Sequence, residues 1–255
     1  MAYIGGKSKG AGHIIEVLNS PKFDNMDYIE PFIGMAHILR RVVNKGSYKA
    51  YDANALVVAL LKGVQDKSIR YPSISRREWQ TLKYKRGDNS FKRAIAAYTY
   101  SFNGIPFSGY VVRSKCARQE HYPGERKRYY DRLRQNEVFM KAKLARKDYK
   151  TIKPGKGKLI YCDPPYAGTT GYLPDFDTNE FWAKVRKWSK HNAVFVSEYH
   201  APPDFRLVAE KVKRHSLSGK GAGKSVTEKL FQWKRTPKKY RRGAPQGPRA
   251  KKVLR

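Results

Sequence analysis

The sequence YCDPPY occupies residues 161–166 and directly follows a short apolar run. The apolar run predicts a buried strand, which must end at Pro164 and Pro165 because proline cannot donate a hydrogen bond to a sheet. Asp163 and the Pro164 carbonyl group can both accept hydrogen bonds from one amino group, and Tyr166 offers a face for stacking. The motif therefore predicts a pocket for a planar amine at the end of a strand. The alternative is a rigid turn in which Asp163 caps the backbone and Tyr166 packs.

A second apolar run, YIEPFIG at residues 28–34, also ends at a turn. Residues 35–43 carry apolar side chains at helical spacing and predict a helix, and residues 48–51 predict another strand, which delivers Asp52. The order strand, turn, helix, strand and acid is typical of doubly wound sheets, where the acid accepts hydrogen bonds from a ribose. Because Gly34 does not begin a G-x-G-x-x-G motif, the pattern favours a nucleoside without phosphates.

Together with YIGGK at residues 3–7, these motifs resemble those of the Dam-like, D12 class of DNA adenine-N6 methyltransferases. That family has a W/Y-x-G-G-K start, an E-P-F-x-G strand end, a D-x-N and a D-P-P-Y in this order, and all four occur here. The resemblance spans roughly residues 3–233. It implies an α/β fold, with a Rossmann-like methyltransferase core, a largely parallel sheet and an inserted, mostly helical target-recognition domain. It also implies S-adenosylmethionine as cofactor and adenine N6 in base-flipped, double-stranded DNA as methyl acceptor.

The resemblance assigns roles to individual residues. The positions that match catalytic ones are Asp163, Pro164, Pro165 and Tyr166. The positions that match cofactor-binding ones are Tyr3, Lys7, Glu30, Phe32, Gly34, Asp52, Asn54 and Asp163. Two positions match residues at the DNA, Phe102 and Asn103. Met35 and Ala36 stand where the family usually has glycines, so they leave less room for the methionine part of the cofactor unless the Met35 side chain turns away.

The composition favours a polyanionic partner. The chain has 54 Lys and Arg against 21 Asp and Glu, a net charge of +33, which is more than solubility requires. Double-stranded DNA carries about one charge per 1.7 Å of its axis, so we expect salt-sensitive contacts to its phosphates. Residues 234–255 contain ten Lys or Arg, no acid, and several Pro and Gly, so we expect a disordered tail. Of the net charge of +33, the tail supplies ten, and the remaining +23 belongs to the rest of the chain.

Changes in residue composition along the chain predict four segments. They are residues 1–72, the cofactor-binding part of the catalytic domain; 73–150, the target-recognition insert; 151–233, the catalytic part of the same core; and 234–255, the basic tail. The insert mixes basic and aromatic residues, which suits phosphates and unstacked bases together. Its candidate DNA-binding arginines are Arg113, Arg118, Arg126 and Arg128. Residues 91–102 carry apolar side chains at helical spacing and predict a helix.

Other classes of protein find little support. No apolar stretch approaches the roughly 20 residues of a membrane span, and residues 1–9 do not resemble a signal peptide. We therefore expect an intracellular protein that acts on DNA without a membrane partner, as a monomer or a weak dimer. Cys116 and Cys162 form no C-x-x-C pair, and the six histidines show no ligand spacing, so we expect neither a disulfide nor a metal site.

Several functions remain open on the sequence. A cytosine-N4 DNA methyltransferase uses the same geometry, although those relatives more often have serine in place of Asp163. RNA and protein-amide methyltransferases are further possibilities, and the amide enzymes typically carry asparagine there. A different class is a non-catalytic, basic DNA-binding protein on a decayed methyltransferase fold, which Met35 and Ala36 keep open.

Deletion of residues 234–255 tests the role of the basic tail. We predict weaker binding to any duplex and a slope of log affinity against log salt that is flatter by a few units, because each phosphate contact contributes about 0.9. The methylated sequence should stay the same, since phosphate contacts position a protein while base contacts specify the site. Binding to cognate and scrambled duplexes across a salt series measures both effects. An unchanged slope, or a changed target sequence, would contradict the prediction that the tail binds DNA phosphates without regard to sequence.

Overall fold

The computed structural model describes residues 11–85, 87–111, 122–165, 176–214 and 225–234. Its helices are α1 (Gly12–Leu18), α2 (Ala55–Gln65), α3 (Arg76–Tyr84), α4 (Phe91–Tyr98), α5 (Tyr122–Arg134), α6 (Glu137–Lys141) and α7 (Thr178–Ser189). Its strands are β1 (Asp27–Glu30), β2 (Tyr48–Asp52), β3 (Lys143–Arg146), β4 (Lys158–Cys162), β5 (Ala193–Glu198), β6 (Phe205–Arg214) and β7 (Ser225–Trp233). None of the helices in these ranges is long and apolar enough to cross a membrane.

The strands of the described residues form one sheet in the order β3-β2-β1-β4-β5-β7-β6. Strands β1 to β5 run parallel, while β7 is antiparallel to both β5 and β6. From β1 the chain moves outward to β2 and β3 on one side, and from β4 it moves outward to β5 on the other. In doubly wound sheets ligands bind where the strand order reverses, which here is at the carboxyl ends of β1 and β4. The Rossmann-like α/β fold with a largely parallel sheet is confirmed.

Most elements that were predicted around the motifs are present. Strand β4 covers the predicted strand before Asp163, and β2 covers the one that delivers Asp52. Helix α2 begins after Asn54, whose side-chain oxygen accepts a hydrogen bond from the Leu56 N–H group at 3.0 Å. Helix α7 begins after Asp177, whose carboxylate caps the first turn in the same way.

The helix predicted over residues 35–43 is wrong. The described backbone there contains turns and one 3-10 turn at Leu39–Arg41. Ala36 has a φ of +57° and follows Gly34 with a φ of +48°, and left-handed residues interrupt the bonding of a right-handed helix. Most of the apolar side chains are nevertheless buried, with Met35 and Ile38 at 1% and 2% exposure, whereas Val43 is 41% exposed.

The helix predicted over residues 91–102 is also shorter than expected, because α4 ends at Tyr98. The carbonyl oxygens of Tyr98, Thr99 and Ser101 lie 2.6–2.8 Å from Nη1 of Arg126 on α5. Arg134, two turns further along α5, binds the last carbonyl groups of α2 in the same manner, at 3.0 Å from the Val64 oxygen. Guanidinium groups at helix carboxyl ends satisfy free carbonyls and complement the helix dipole.

The predicted insert is not separate from the sheet. Its residues 143–146 form β3, which pairs in parallel with β2, so they belong to the core. Gln65 at the end of α2 donates to the carbonyl oxygens of Phe139 and Ala142 at 2.7 and 2.9 Å, and this fixes the return of the chain. Lys234, the first residue of the predicted tail, is placed beside Asp204 through a backbone hydrogen bond of 2.9 Å. The remainder of the tail, residues 235–255, lies outside the described residues.

The close packing of α2 on α4 depends on Gly63. A Cβ atom at this position would lie 2.1 Å from Cδ2 of Phe91, far inside van der Waals contact. We predict that Gly63→Ala lowers the free energy of unfolding, because overpacking typically costs about 1–3 kcal/mol while alanine gains about 1 kcal/mol in helix propensity. Urea denaturation measures the difference.

Gly12→Ala is the matched control for this prediction. Gly12 also lies in a helix, but a Cβ atom there would have no atom within 4 Å. This variant should be neutral or more stable by up to about 1 kcal/mol. If Gly63→Ala behaves like Gly12→Ala, the Phe91 ring moves aside freely and the glycine is not needed for packing.

Candidate active site

Three carboxyl groups lie at the carboxyl ends of neighbouring strands. Glu30 ends β1, Asp52 ends β2, and Asp163 directly follows β4. Since these strands are parallel and adjacent in the order β2-β1-β4, their ends meet at one edge of the sheet. Burial raises the pKa of Glu30 most, and the charges of Asp163 and Asp52 add to the rise, so the three groups interact electrostatically. Acids predicted from three separate motifs are therefore brought together.

Glu30 is buried, with 2% of its surface exposed. Its Oε2 accepts a hydrogen bond of 2.8 Å from the hydroxyl group of Tyr28, which is itself fully buried. Burial raises the pKa of Glu30 well above its usual range, Asp163 and Asp52 add to that rise, and the hydrogen bond from Tyr28 opposes it. A carboxyl group in this setting ionises more readily when a cation approaches, so this end of β1 favours a positively charged ligand group.

Asp52 is held by two backbone N–H groups. Gly34 donates to its Oδ2 at 3.1 Å, and Asn54 donates to its Oδ1 at 2.9 Å. Desolvation nevertheless raises the pKa of Asp52 to about 6, with the two hydrogen bonds opposing the rise. The Asn54 side chain caps α2 and donates to the Tyr98 hydroxyl group at 3.0 Å, so Asn54 acts here by fixing Asp52.

Asp163 is partly exposed and stands on a rigid support. Beneath it, the hydroxyl groups of Tyr161 and Ser197 lie 2.7 Å apart in the interior and join β4 to β5. Pro164 is buried and Pro165 is partly exposed. Burial, with the charges of Glu30 and Asp163, raises the pKa of the Cys162 thiol well above its usual range. The thiol is therefore protonated and does not act as a nucleophile.

The Met35 side chain is buried in the hydrophobic core. Met35 and Ala36 are 1% and 0% exposed, and both belong to the hydrophobic core. The hydroxyl group of Tyr129 donates to the Met35 carbonyl oxygen at 2.6 Å and holds this turn in place. Because Met35 and Ala36 present almost no surface, we expect neither side chain to crowd the cofactor.

Phe32 forms an aromatic wall beyond the end of β1. Its ring lies 5.4 Å from that of Tyr149, 6.2 Å from that of Phe176 and 5.8 Å from that of Phe181, measured between centroids. Phe32 remains partly exposed, so its neighbours do not cover its ring completely. Aromatic rings of this kind are common in the walls of pockets for planar ligands.

Phe102 lies at the start of a tightly bonded turn. The Ser101 hydroxyl oxygen accepts hydrogen bonds from Nε1 of Trp79 at 3.0 Å and from the Phe107 N–H group at 3.1 Å, and it donates to the Ala96 carbonyl at 3.0 Å. The Phe102 side chain is 50% exposed. A half-exposed aromatic ring on a fixed turn suits insertion between bases. Ser101 has no sequence signature and was not predicted.

The structure corrects the prediction that Arg126 contacts DNA. Arg126 is 2% exposed, and its guanidinium group is taken up by the carbonyl groups at the end of α4, so it does not reach a phosphate. Arg128 lies exposed on the same helix. Tyr3, Lys7, Arg113, Arg118 and Tyr166 lie outside the described residues, as does the side chain of Asn103. The described ranges contain no group of three or more His, Cys, Asp or Glu that could hold a metal.

Comparison with known families places the chain in a class. Residues 3–191 match the D12 class N6 adenine-specific DNA methyltransferase family, and the chain belongs to that family. It is therefore a methyltransferase, and its cofactor is S-adenosylmethionine. A comparison with curated proteins finds no match.

Among solved structures, similar chains include three methyltransferases. One is a putative methyltransferase from Escherichia coli, with 10% identity, a TM-score of 0.40 and coverage of 86% of this chain and 82% of that one. Another is an rRNA methyltransferase from Streptomyces viridochromogenes, with 12% identity, a TM-score of 0.37 and coverage of 85% and 80%. The third is a putative RNA methyltransferase from Pyrococcus horikoshii, with 8% identity, a TM-score of 0.41 and coverage of 91% and 89%. At these scores they add nothing to the family assignment.

The described residues fit the cofactor. S-adenosylmethionine carries ribose hydroxyl groups, and its sulfonium and ammonium groups are cationic. A carboxylate oxygen has two lone-pair directions, and each Asp52 oxygen uses one for a backbone N–H group, which leaves acceptors for the ribose. We propose that Asp52 holds the ribose, that Glu30 faces a cationic group, and that Phe32 and Gly34 form the adjoining wall.

The pKa of Asp52 gives a test of its role. An ordinary aspartate stays ionised down to about pH 4, whereas Asp52, with a pKa of about 6, becomes neutral as the pH falls through that value. Because the ionised form is the better acceptor for hydroxyl groups, we predict that the Kd for S-adenosylmethionine rises as the pH falls below about 6. Calorimetric titration between pH 5 and pH 8 measures the dependence.

Two variants complete this test. Asp52→Ala should weaken binding by about 1.5–3 kcal/mol, the range for a charge-assisted hydrogen bond. Asp52→Asn should weaken binding as well. Because an amide does not titrate in this range, the Kd of this variant should lack the rise that the wild-type Kd shows below about pH 6. An unchanged Kd in Asp52→Ala, or the same pH profile in both proteins, would show that Asp52 does not contact the cofactor.

Proposed function

We propose that the protein methylates the exocyclic N6 of adenine in duplex DNA, at a nucleotide extruded from the helix. The observation that supports this most is Asp163 at the end of β4, followed by two prolines and standing beside Glu30 and Asp52 at one edge of the sheet. Bound S-adenosylmethionine supplies a methyl group on a sulfonium, which is already activated for transfer. The residues of the chain then need only to orient the amine and to stabilise the charge that develops on it.

Asp163 and the Pro164 carbonyl are the proposed acceptors for the two N6 protons. The lone pair of an aromatic amine is delocalised into the ring, so holding both protons favours a geometry in which the lone pair is available for attack. A bond forms from N6 to the methyl carbon while the bond from that carbon to the sulfonium sulfur breaks, so the sulfur would leave as a neutral thioether. Positive charge develops on nitrogen along the way and is lost when N6 gives up one proton to solvent. A carboxylate that accepts the hydrogen bond of the departing proton stabilises that charge. No covalent intermediate with the enzyme is needed, which agrees with the protonated state of the Cys162 thiol.

Access to N6 requires the target nucleotide to leave the duplex, at a cost of a few kcal/mol in lost stacking and pairing. We propose that Tyr166 stacks on the extruded base and that Phe102 occupies the space it leaves. The exposure of the Phe102 ring and the fixed turn beneath it support this role. A fixed turn loses little entropy when it inserts, so more of the contact energy offsets the cost of extrusion.

Two other functions are less well supported. A cytosine-N4 methyltransferase remains an alternative acceptor class, and the family assignment favours adenine. The non-catalytic alternative depended on Met35 and Ala36 filling the cofactor site, and both side chains are buried in the core. We therefore retain cytosine as the competing acceptor in the test.

Asp163→Ala tests the proposed chemistry. We predict that methyl transfer is abolished while the affinities for cofactor and DNA stay within about tenfold, because the lost interaction acts mainly in the transition state. Mass spectrometry of nucleosides from treated DNA gives both the rate and the methylated position. Turnover above about one per cent of wild type in the variant would contradict the assignment of Asp163, and N4-methylcytosine as the product would contradict adenine.

Cys162→Ala is the matched control at the neighbouring position. Because the thiol is buried and protonated, it contributes packing and no chemistry, so this variant should retain methyl transfer despite some loss of stability. Loss of activity in a folded Cys162→Ala protein would indicate a covalent role and contradict direct transfer.

A further inference from the structure

The end of β7 lies at the opposite edge of the sheet from the proposed catalytic site. Because β7 is antiparallel to β5, Phe231 pairs with Val196, and the last residues of β7 lie beside the first residues of β5. Asp163 lies at the other end of these strands. A strand rises about 3.3 Å per residue, so the length of β5 separates the two edges by about 17 Å. Groups at the far edge are therefore remote from the reacting base.

A cavity of about 560 Å³ opens at this far edge. Its walls include His191 and Asn192 at the start of β5, Arg206 on β6, and Trp233 and Lys234 at the end of β7. No described carboxylate lines it. The surface of the cavity thus combines an imidazole, a guanidinium, an ammonium and an indole, which are the groups that bind phosphates and sugars in nucleic acids.

Neutral partners hold both cations of the cavity in position. Arg206 donates from Nη2 to the side-chain oxygen of Gln232 at 2.6 Å, and Lys234 donates from Nζ to the Pro203 carbonyl oxygen at 2.8 Å. Both residues are otherwise exposed. Positioned side chains lose less rotamer freedom on binding, and neutral partners leave the full positive charge available to an anion.

Asp204, an acid beside the cavity, does not cancel this charge. Asp204 binds Arg186 through two hydrogen bonds of 2.6 and 2.8 Å, and Trp233 donates to it at 2.9 Å. The hydrogen bond from Arg186, more than the one from Trp233, lowers the pKa of Asp204 to about 2. Asp204 is thus an anion that is already matched by Arg186, and Arg206 and Lys234 remain as a local excess of positive charge.

The charge of the whole chain also exceeds the needs of one contact surface. A DNA-binding protein typically contacts about 6–10 phosphates in one footprint. This chain carries +33, and it continues from the cavity into the lysine- and arginine-rich residues 235–255. A second DNA segment at the far edge would account for positive charge that the catalytic edge cannot use.

We propose that the far edge, defined by His191, Arg206, Trp233 and Lys234, is a second duplex-binding surface that takes the sugar-phosphate backbone of a DNA segment other than the one being methylated. The protein then bridges two segments of DNA, and it binds the second without regard to sequence. This inference rests on the proposed function only in taking DNA as the partner.

A bridging experiment with the full-length chain tests the surface. A cognate duplex is fixed to beads, a labelled duplex of scrambled sequence is added in solution, and protein-dependent retention of the label is measured across a salt series. Arg206→Gln combined with Lys234→Gln should reduce retention at least about tenfold and flatten its salt slope by about 2, because two phosphate contacts are lost. Methylation of a short duplex that covers only the target site should stay within about twofold of wild type.

Lys62→Gln combined with Lys141→Gln is the matched control. It removes two exposed lysines from α2 and α6, which lie near β2 and β3, on the opposite side of the strand order from β6 and β7. This control should retain the label like wild type. Equal losses in both double variants would indicate a general effect of net charge and overturn the proposal, as would unchanged retention in the far-edge variant. Stronger retention of a labelled RNA hairpin than of the duplex would assign the surface to RNA instead.

The mass of each protein in solution separates bridging by one copy from bridging by a dimer. Sedimentation of the far-edge variant should give the same mass as wild type, and a loss of dimer would overturn the proposal. Failure of the proposed function would be visible separately. The wild-type protein would then not methylate the short duplex, while it would still retain the labelled duplex on the beads.

Discussion

The site depends on the electrostatic cost of gathering three carboxyl groups at one edge of a buried sheet. Parallel strands in the order β2-β1-β4 bring Glu30, Asp52 and Asp163 together. Burial disfavours a charged carboxylate, so a buried carboxyl group must either be neutral or be stabilised by hydrogen bonds. Asp52 is held by two backbone N–H groups, and Glu30 by a buried tyrosine hydroxyl. A cationic ligand would relieve the remaining repulsion, which supports the proposal that this edge takes the sulfonium group of the cofactor.

Helix α5 explains why a basic composition is not the same as a basic surface. Arg126 and Arg134 bind the free carbonyl groups at the ends of α4 and α2, and neither serves as a contact for phosphate through those bonds. The helix thereby ties the ends of α4 and α2 together. The charge available to DNA is spread over exposed residues, such as Arg128 on the same helix and Arg206 at the far edge.

Motifs with a fixed backbone requirement were predicted well from the sequence. The prolines after β4 determine where that strand ends, and the order of strand and acid predicted Asp52 at the end of β2. The placement of Asp52 and Asp163 at the carboxyl ends of parallel strands followed from these two motifs. The helix predicted over residues 35–43 was wrong because periodicity reports burial, and these side chains, except that of Val43, are buried without being helical. Arg126 was misplaced because a buried arginine has the same sequence signature as an exposed one, and its partners, distant backbone carbonyls, have no signature at all.

The anchoring of α5 and α6 has a consequence for how a change there is transmitted. Tyr129 and Asn136 donate hydrogen bonds to the carbonyl oxygens of Met35 and Arg40, in the turn that follows β1. The residue before Met35 is Gly34, whose N–H group holds Asp52. A displacement of α5 would therefore reach the carboxyl-lined edge of the sheet through this one turn.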